Sequence, residues 1–573
     1  MQVQNLGALL GRRTPKTPAG QRLPPQLSGG LPLLGHTVEF IRSTIELLSR
    51  AHRELGEIAA FQVFNRKMVA VYGPEAHEAV FRAPDTVLSP SEAYKIMTPV
   101  FGKDIVYDAP PEKMAEQLKM LLPALKDKRM RTYGEAVIQE TEAGVGKWGE
   151  AGVIDFVDFC RVLTNFTSSR CLLGKEFREG MTEEFAAVYH DLEKGVTPLA
   201  YINAHLPIPS FRKRDKARVR MVEMITNVIR ARLRDKRQGE DFLQTLMEAR
   251  YSDGRALTEN EITGMLLAGM FAGHHTSSVT TAWTLIELLQ NPAYLARVVG
   301  EIDGVFGDGT PVSHAALREL TLTENAVKEA LRLHPPLFML VRVAQQDFTY
   351  KSWFVPKGTW IVISPTVSHR MDDVFREAAR FDPDRFAPPR EEDKRDFAYI
   401  AFGGGRHKCL GNAFAILQIK AILALLLGQY DFELAGDAIE SDFQGLVVGP
   451  KEPCRVRYRK RASPSVSIAA AAELNRVASA EAAAAAAHAP GANGSNGTHG
   501  AATTAAPMKQ LKISLDRDLC QGHAVCVGEA PDLFRLGDDG KVELVTQPAL
   551  AQYGKAHAAQ QYCPTRAIKV RYE

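Results

Sequence analysis

A tract of small residues from 462 to 507 divides the 573-residue chain into two parts. Alanine, glycine, serine, asparagine and threonine dominate it, as in AEAAAAAAHAPGANGSNGTHGAATTAAP. These side chains are too small or too polar to bury a core, so the tract is predicted to be a flexible linker. The chain is therefore predicted to form a large first domain, residues 1–461, and a small second domain, residues 508–573.

Charge and hydropathy argue against two classes of partner. The formal net charge is only +3, and no basic stripe alternates with aromatic residues, so nothing indicates a nucleic acid partner. No run of 18 or more apolar residues occurs, which predicts a soluble protein of the bacterial cytoplasm without a membrane-spanning helix. The seven cysteines are odd in number and unevenly spread, a pattern that favours metal ligation by a few thiolates over disulfides.

The first domain is predicted to be mainly α with a minor β region. Residues 259–292 are apolar nearly all round, which is typical of a long buried helix. Residues 326–336 predict a helix that is ended by paired prolines. Residues 348–366 predict a hairpin of strands around a Pro-Lys-Gly turn.

The segment FGGGRHKCLG, residues 402–411, is the strongest chemical signal in the chain. Its glycines allow backbone to approach a flat ligand closely, and an apolar helix follows directly. A thiolate at such a junction is stabilised by backbone N–H groups and by the helix dipole. Cys409 is therefore predicted to be the axial ligand of a haem b iron, the alternative being a structural cysteine beside a glycine-rich turn.

Residues from about 30 to 460 resemble the cytochrome P450 family. The motif Glu329-x-x-Arg332 resembles the family's helical Glu-x-x-Arg, and Arg385 in FDPDRF resembles the arginine that completes a structural triad. The resemblance implies the cytochrome P450 fold and a buried triad behind the cysteine loop. The residues expected to bind the haem are Phe402, Gly405, His407, Gly411, Arg342 and Tyr94. The family's common Trp-x-x-x-Arg is missing near 110–135, so Lys113, Lys119 and Arg342 are candidate partners for the haem propionates, with Arg342 preferred.

The long predicted helix contains Ala272-Gly273-His274-His275-Thr276. In the family this groove passes over the haem, binds O2 and relays protons, so these residues are the expected catalytic ones. His275 stands where most members have an acid, and an imidazole can still carry protons near neutral pH. The alternative is a pair of hydrogen-bonded core histidines. The pattern resembles one subfamily, the sterol 14α-demethylases.

Residues 94–108, YKIMTPVFGKDIVYD, resemble the segment of that subfamily that contacts the substrate. The residues expected to contact a sterol are Tyr94, Ile96, Met97, Phe101, Val106, Tyr107 and His274. The resemblance implies three O2-dependent oxidations of the 14α-methyl of a lanosterol-like sterol, with release of formate and formation of a 14,15 double bond. Two alternatives remain: a monooxygenase of the same fold acting on another lipid or terpenoid, and a non-enzymatic electron-transfer or sensing module.

The second domain resembles a small α+β ferredoxin of the bacterial type with a single cluster. Cys520, Cys526 and Cys563 match three ligand positions, and His523 replaces the middle cysteine. Three thiolates predict a [3Fe–4S] cluster; the alternatives are a [4Fe–4S] cluster with His523 as fourth ligand and a Cys3His zinc site. Acids near these ligands either steer the domain toward Arg406 and Lys408 or form an ordinary solvated face. The acids are Asp516, Asp518, Glu529, Asp532, Asp538 and Asp539.

The second domain is expected to pass electrons to the haem at the high effective concentration that a linker gives. Nothing in the sequence resembles a flavin or nicotinamide site, so a separate flavin-dependent NAD(P)H ferredoxin reductase is the predicted partner. Because a sterol partitions into membranes, transient membrane contact near residues 30–50 or 200–215 is also considered.

Overall fold

The computed structural model describes most of the chain outside the predicted linker. The described residues are 17–125, 127–180, 183–196, 200, 203–436, 439–443, 447–466, 511–520, 522, 525–549, 552–561, 563 and 567–572.

Helices make up most of the first domain, as the sequence predicts. In chain order they are α1 (Thr37–Arg42), α2 (Thr44–Leu55), α3 (Pro74–Arg82), α4 (Ser91–Tyr94), α5 (Thr98–Phe101), α6 (Pro111–Leu121), α7 (Asp127–Val145), α8 (Phe156–Leu173), α9 (Lys175–Glu179), α10 (Glu183–Lys194), α11 (Pro209–Asp235), α12 (Phe242–Glu248), α13 (Glu259–Gln290), α14 (Pro292–Phe306), α15 (His314–Glu319), α16 (Thr321–Leu333), α17 (Pro365–Ser368) and α18 (Asn412–Gln429).

Helix α13 is the long buried helix predicted over 259–292. It begins at a capping box, in which the Thr258 hydroxyl accepts from the Glu261 backbone N–H and the Glu261 carboxylate accepts from the Thr258 N–H. It packs most extensively against α8 and also contacts α16 and α18. Such a helix is apolar nearly all round because neighbours cover most of its surface.

Helix α18 is the one described helix that is long and apolar enough to cross a membrane, yet most of it is buried inside the protein. Its apolar residues fill the largest core cluster together with residues of α7, α8, α14 and α16. The structure therefore assigns α18 to the core of the first domain.

Strands form a minor part of the first domain. The main sheet has the order β1 (Ile58–Val63), β2 (Arg66–Val71), β8 (Trp360–Ile363), β5 (Leu340–Ala344) and β3 (Leu88–Ser89), and only the β2–β8 pair is parallel. A second sheet has the order β4 (Ala151–Asp155), β12 (Arg455–Lys460) and β9 (Tyr430–Leu434). Two short pairs complete the domain: β6 (Phe348–Tyr350) with β7 (Trp353–Val355), and β10 (Ser441–Asp442) with β11 (Gly449–Pro450).

The hairpin predicted over 348–366 is present, but its turn lies elsewhere. Strands β6 and β7 pair around Lys351, whose φ of 53° lies in the left-handed region that a tight turn requires. The Pro-Lys-Gly turn instead leads from β7 to β8, which joins the main sheet.

The first domain extends beyond residue 461. Val466 is buried, and the Ser465 N–H donates to Gly428 O at 3.0 Å, so the first residues of the predicted linker pack on α18. The remainder of that linker, from residue 467, lies outside the described residues.

The second domain is a small α+β unit. Strand β13 (Leu511–Leu515) pairs with β16 (Ile568–Tyr572), and β14 (Phe534–Leu536) pairs with β15 (Val542–Leu544). Helices α19 (Val525–Glu529) and α20 (Tyr553–Gln561) pack against each other. Its core is separate and includes the three predicted cluster cysteines.

Candidate functional site

The loop from Phe402 to Gly411 is held tightly against helix α3. The Cys409 N–H donates to Phe402 O at 2.9 Å, which closes the loop on itself. Gly403 and Gly405 have φ of 69° and 62°. A Cβ at Gly405 would lie 2.0 Å from Phe81 O, so only glycine fits this close approach.

The Cys409 side chain is accessible although protein surrounds it, and it lies three residues before α18 begins. Burial raises the pKa of its thiol, while a hydrogen bond from the Gly411 backbone N–H and the charge of Lys408 act in the opposite direction. The sulfur is accessible, and nearby groups favour its thiolate form. Both properties are expected of a ligand to a haem iron.

Four of the predicted haem and substrate residues come together on one side of this loop. Tyr94 stacks on Tyr107 with ring centroids 4.7 Å apart, and Tyr107 lies 6.5 Å from the His407 ring. His407 Nε2 is 2.7 Å from an Asp85 carboxylate oxygen. The charge of Arg342 acts on Tyr94, Tyr107 and His407.

These residues fit the carboxylates of a haem. Arg342 is buried, donates to Val341 O at 2.9 Å, and has no carboxylate partner among the residues that the structure describes. The His407 Nδ1 is buried without a hydrogen-bond partner. A buried cation without a counter-charge is costly, so an anion is expected beside it. Lys113, by contrast, is already paired with Glu261 at 3.2 Å.

Helix α13 presents the predicted catalytic residues. The Thr276 hydroxyl donates to Ala272 O at 2.5 Å, and Ala272 is exposed in the middle of an otherwise buried helix. Ala272 therefore faces an open interior space. At Gly273 the nearest atom to a Cβ would be Ser168 Oγ at 4.0 Å.

Both histidines of this motif meet Glu193 of α10. His275 Nε2 is 2.6 Å from the Glu193 carboxylate and His274 Nδ1 is 3.4 Å from it. Burial would raise the pKa of Glu193, but the two adjacent imidazoles outweigh burial and lower that pKa to about 2. His274 is also anchored by its Nε2, 2.9 Å from Arg161 O, and is almost fully buried.

Sequence reasoning did not find Glu193. It lies about 80 positions before the histidines, in a helix whose composition is ordinary for a surface helix. No local pattern marks a carboxylate that reaches its partners only through tertiary packing.

The predicted substrate segment does not form a single surface. Phe101 packs edge-on against Phe271 of α13, with centroids 6.0 Å apart. Ile96 lies in a separate small cluster that includes Phe211 of α11, and Met97 contacts both regions. The Val106 N–H donates to Gln117 Oε1 at 2.6 Å, so its backbone anchors the segment.

The predicted triad is present and wholly buried. Arg332 donates to both Glu329 carboxylate oxygens, at 2.7 and 2.8 Å, and Arg385 donates to one of them at 2.9 Å. All three side chains are 0% exposed. Arg385 also donates to the Glu392 carboxylate at 2.7 Å, and both guanidinium groups donate to backbone carbonyls, including His369 O and Ala378 O for Arg332 and Arg376 O for Arg385. A buried charge cluster is tolerable only when it is this completely paired.

His369 connects the triad to the cysteine loop. Its Nδ1 is 3.3 Å from Arg332 O, and its Nε2 accepts from the Ile400 N–H at 2.9 Å, two residues before Phe402. His77 of α3 lies near it, hydrogen-bonded to Phe397 O and to the Ser368 hydroxyl, both at 3.0 Å. The neutral imidazoles thus position the backbone that leads into the loop.

These two histidines predict acid sensitivity. Burial lowers the pKa of His77 to about 4 and that of His369 well below its ordinary value. Below pH 6.5 the unfolded chain binds protons that the folded chain does not, so stability is expected to fall between pH 6.5 and 5. Each histidine contributes at most about 1.4 kcal/mol per pH unit. Urea unfolding at several pH values measures the slope, and His77→Asn should reduce it; an unchanged slope would contradict the assignment.

The second domain brings its three cysteines together. Cys520, Cys526 and Cys563 are buried in one core cluster. Burial, with the nearby Cys563 and Cys520 thiolates, raises the pKa of Cys526 to about 12. The Val542 N–H lies 3.4 Å from Cys520 Sγ, as expected for a hydrogen bond to a cluster ligand. Clustered thiols that repel one another as thiolates are suited to sharing a metal cluster. His523 lies outside the described residues.

Comparisons with known proteins agree with this description. Residues 24–456 match the Cytochrome P450 family model and residues 513–570 match that of a 4Fe-4S single cluster domain. Sterol 14alpha-demethylase of Mycolicibacterium vanbaalenii is 42% identical over 445 residues, 76% of this chain and 98% of the relative. Obtusifoliol 14-alpha demethylase of Sorghum bicolor is 38% identical, over 77% and 91% respectively. The solved cytochrome P450DA heme domain superposes with a TM-score of 0.70 at 21% identity, covering 78% of this chain and all of that one, which shows the shared fold.

The fold, the buried triad and the accessible cysteine before α18 define a haem-thiolate monooxygenase, an oxidoreductase whose haem would be held by Cys409. The chain belongs to the cytochrome P450 family, and an iron–sulfur domain of the ferredoxin type follows at its C-terminus.

Proposed function

We propose that this protein is a sterol 14α-demethylase that receives its electrons through its own C-terminal iron–sulfur domain. The observation that carries the proposal is the 42% identity to a bacterial sterol 14alpha-demethylase across nearly its whole length. The segment 94–108 supports it, because its Tyr107 lies beside His407 of the cysteine loop. The Ala272–Thr276 motif supports it through its resemblance to the pattern of that subfamily.

The chain's own residues would orient a flat substrate and supply protons. The stacked Tyr94 and Tyr107 and the buried Phe101 offer rigid aromatic surfaces of the kind that suit a sterol ring system. Glu193 and His275, 2.6 Å apart, form a partly buried pair that could pass a proton toward Thr276, the next residue along α13. The haem, when bound through Cys409, would supply the oxidising chemistry.

The substrate changes would be three successive oxidations at one carbon. The 14α-methyl becomes an alcohol, then an aldehyde, and then leaves as formate with formation of a 14,15 double bond. Each step consumes one O2 and two electrons. A fixed sterol orientation is essential because the same carbon must be presented three times.

Incubation with 14α-methyl sterols, a flavin-dependent ferredoxin reductase and NADPH tests this function. We expect one formate per sterol consumed and a shift of the ferric haem to high spin on binding lanosterol or obtusifoliol. The product, a sterol without the 14α-methyl group, is the matched control and should yield no formate. Spectral shifts and products with a terpenoid or another lipid alone would favour the alternative substrate, and no O2-dependent product at all would favour an electron-transfer or sensing role.

For the second domain we propose a [3Fe–4S] cluster on Cys520, Cys526 and Cys563. Support comes from the three buried cysteines and from the histidine at 523 where the related motif has a cysteine. An electron paramagnetic resonance signal in the oxidised protein, with about three irons per cluster, is expected because an oxidised [3Fe–4S] cluster has an odd electron count. An oxidised cluster without a signal would indicate [4Fe–4S], and zinc without iron would indicate a structural site.

We also propose that the protein is cytoplasmic and that it touches membranes transiently to collect its substrate. Apolar side chains are exposed near the N-terminal end of the described chain: Leu31 at 49%, Leu33 at 74%, Leu34 at 46%, Val38 at 56% and Ile41 at 69%. Such a patch suits the interfacial region of a bilayer. Co-sedimentation with phospholipid vesicles should weaken in a Leu33→Ser and Ile41→Ser double variant, whereas equal binding of both proteins would exclude this patch.

A further inference from the structure

Among the residues that the structure describes, three ion pairs join the two domains across one face of the haem domain. They are Arg82 with Asp516 at 3.3 Å, Arg318 with Glu529 at 2.9 Å, and Asp396 with Lys569 at 2.6 Å. Asp516 and Glu529 belong to the acids for which the sequence predicts either steering toward Arg406 and Lys408 or a solvated face; here they pair with Arg82 and Arg318. All six side chains are partly exposed, so the contact is polar and solvated.

On the haem-domain side, the pairs surround the loop that carries Cys409. Arg82 follows Phe81, whose backbone and ring lie directly beneath Gly404 and Gly405. Asp396 precedes Phe397, which stacks on the Phe81 ring with centroids 6.1 Å apart. Arg82 and Asp396 are therefore connected to the cysteine loop through only one or two packed residues, Phe81 and Phe397.

On the second domain, the acidic partners Asp516 and Glu529 lie in the segments that carry the cluster cysteines. The Asp516 carboxylate accepts the Asp518 and Leu519 N–H groups, and the Cys520 N–H donates to Asp516 O at 3.1 Å. Glu529 ends the same short helix, α19, that contains Cys526. Docking through these acids thus fixes two of the three cysteines relative to the haem domain.

The two metal-binding loops also share one cavity of about 290 Å³. Gly403, Gly404, Gly405 and Lys408 line it from the haem domain, and Leu519, Glu529 and Cys563 line it from the second domain. A Cβ at Gly522, between Cys520 and Cys526, would lie 3.9 Å from Leu122 of the haem domain. The cluster-binding side of the second domain therefore faces the cysteine loop.

The positive partner does not lie on the same domain in all three pairs, and this difference fixes the orientation of the second domain on the haem domain. Two pairs place the positive charge on the haem domain and the third places it on the second domain. Turning the second domain about the contact would bring Lys569 opposite an arginine, or an acid opposite Asp396, and like charges in contact are repulsive. One orientation satisfies all three pairs.

We propose that these three pairs are the docking interface through which electrons pass from the cluster to the haem, with the Cys563 side of the cluster directed at the Cys409 loop. The proposal rests on the proposed role of the second domain as electron donor. It adds the surface, the orientation and the residues that set both.

Charge reversal in the full-length protein tests the interface. With reductase, NADPH and carbon monoxide at low ionic strength, Arg318→Glu is expected to slow haem reduction roughly tenfold. The swap Arg318→Glu with Glu529→Arg should restore most of the rate. Asp396→Lys, and its swap with Lys569→Asp, repeat the test at the pair of opposite polarity, with cluster and haem content measured in every variant.

The matched control is Lys555→Glu, which reverses an exposed charge whose partner, Asp532 at 3.0 Å, lies in the same domain. It should leave the rate within about twofold of the parent. Reversals that leave the rate unchanged, or swaps that restore nothing, would overturn the interface. A Cys526→Ser variant separates this from the proposed function: if haem reduction continues without the cluster, the donor role itself is wrong.

Discussion

A Cys409→Ser variant is expected to lose the red-shifted absorption of the reduced carbon monoxide complex and all oxygenase activity. The thiolate donates electron density to the iron that a serine oxygen cannot match. The loop itself should persist, because the Cys409 N–H to Phe402 O bond belongs to the backbone and the close approach to Phe81 depends on the glycines. Spectra of the dithionite-reduced, carbon monoxide-treated protein measure the effect.

The matched control is Cys171→Ser, at a buried cysteine of α8 whose sulfur lies 3.9 Å from Tyr133 O. It should keep the thiolate spectrum, since a serine hydroxyl can donate to the same carbonyl. If Cys409→Ser also kept that spectrum, another side chain would hold the iron and the assignment of the site would be wrong.

A Glu329→Gln variant is expected to lose about 3–5 kcal/mol of stability and most of its haem. Glutamine keeps the shape of the side chain but removes the charge that faces two fully buried guanidinium groups. Arg385 retains Glu392 at 2.7 Å, whereas Arg332 would keep only backbone carbonyls as partners among the residues that the structure describes. Urea unfolding and haem content per chain measure the loss.

The large loss of stability in Glu329→Gln should arise because the triad is buried. Glu39→Gln removes one partner of a surface ion pair with Arg50, 2.7 Å away, and should cost no more than about 1 kcal/mol. Equal costs for the two variants would show that the triad does not depend on its negative charge.

Sequence patterns predicted the features that depend on neighbouring residues. The apolar helix α13, the glycine loop before Cys409 and the Glu329–Arg332 pair can each be recognised in a short segment, because local geometry dictates the residue types. The prediction of a mainly helical domain followed by a small α+β domain is confirmed. It too rests on patterns of neighbouring residues.

Features that depend on packing between distant segments could not be predicted from the sequence. Glu193 reaches the α13 histidines across the domain, and His369 links the triad to Ile400. The hairpin turn lies at Lys351 and not at the predicted Pro-Lys-Gly, because β8 pairs with β2 in the main sheet. Val466 is buried because it meets Gly428, where a larger residue would clash with it.

The Asp396–Lys569 pair has a consequence for the cell's other small electron carriers. Carriers whose docking side is uniformly acidic would bring a negative group against Asp396, and such juxtaposition is repulsive. Together with the proposed donor role of the second domain, this one pair of opposite polarity would disfavour docking of such carriers and favour electron transfer from the domain within the same chain.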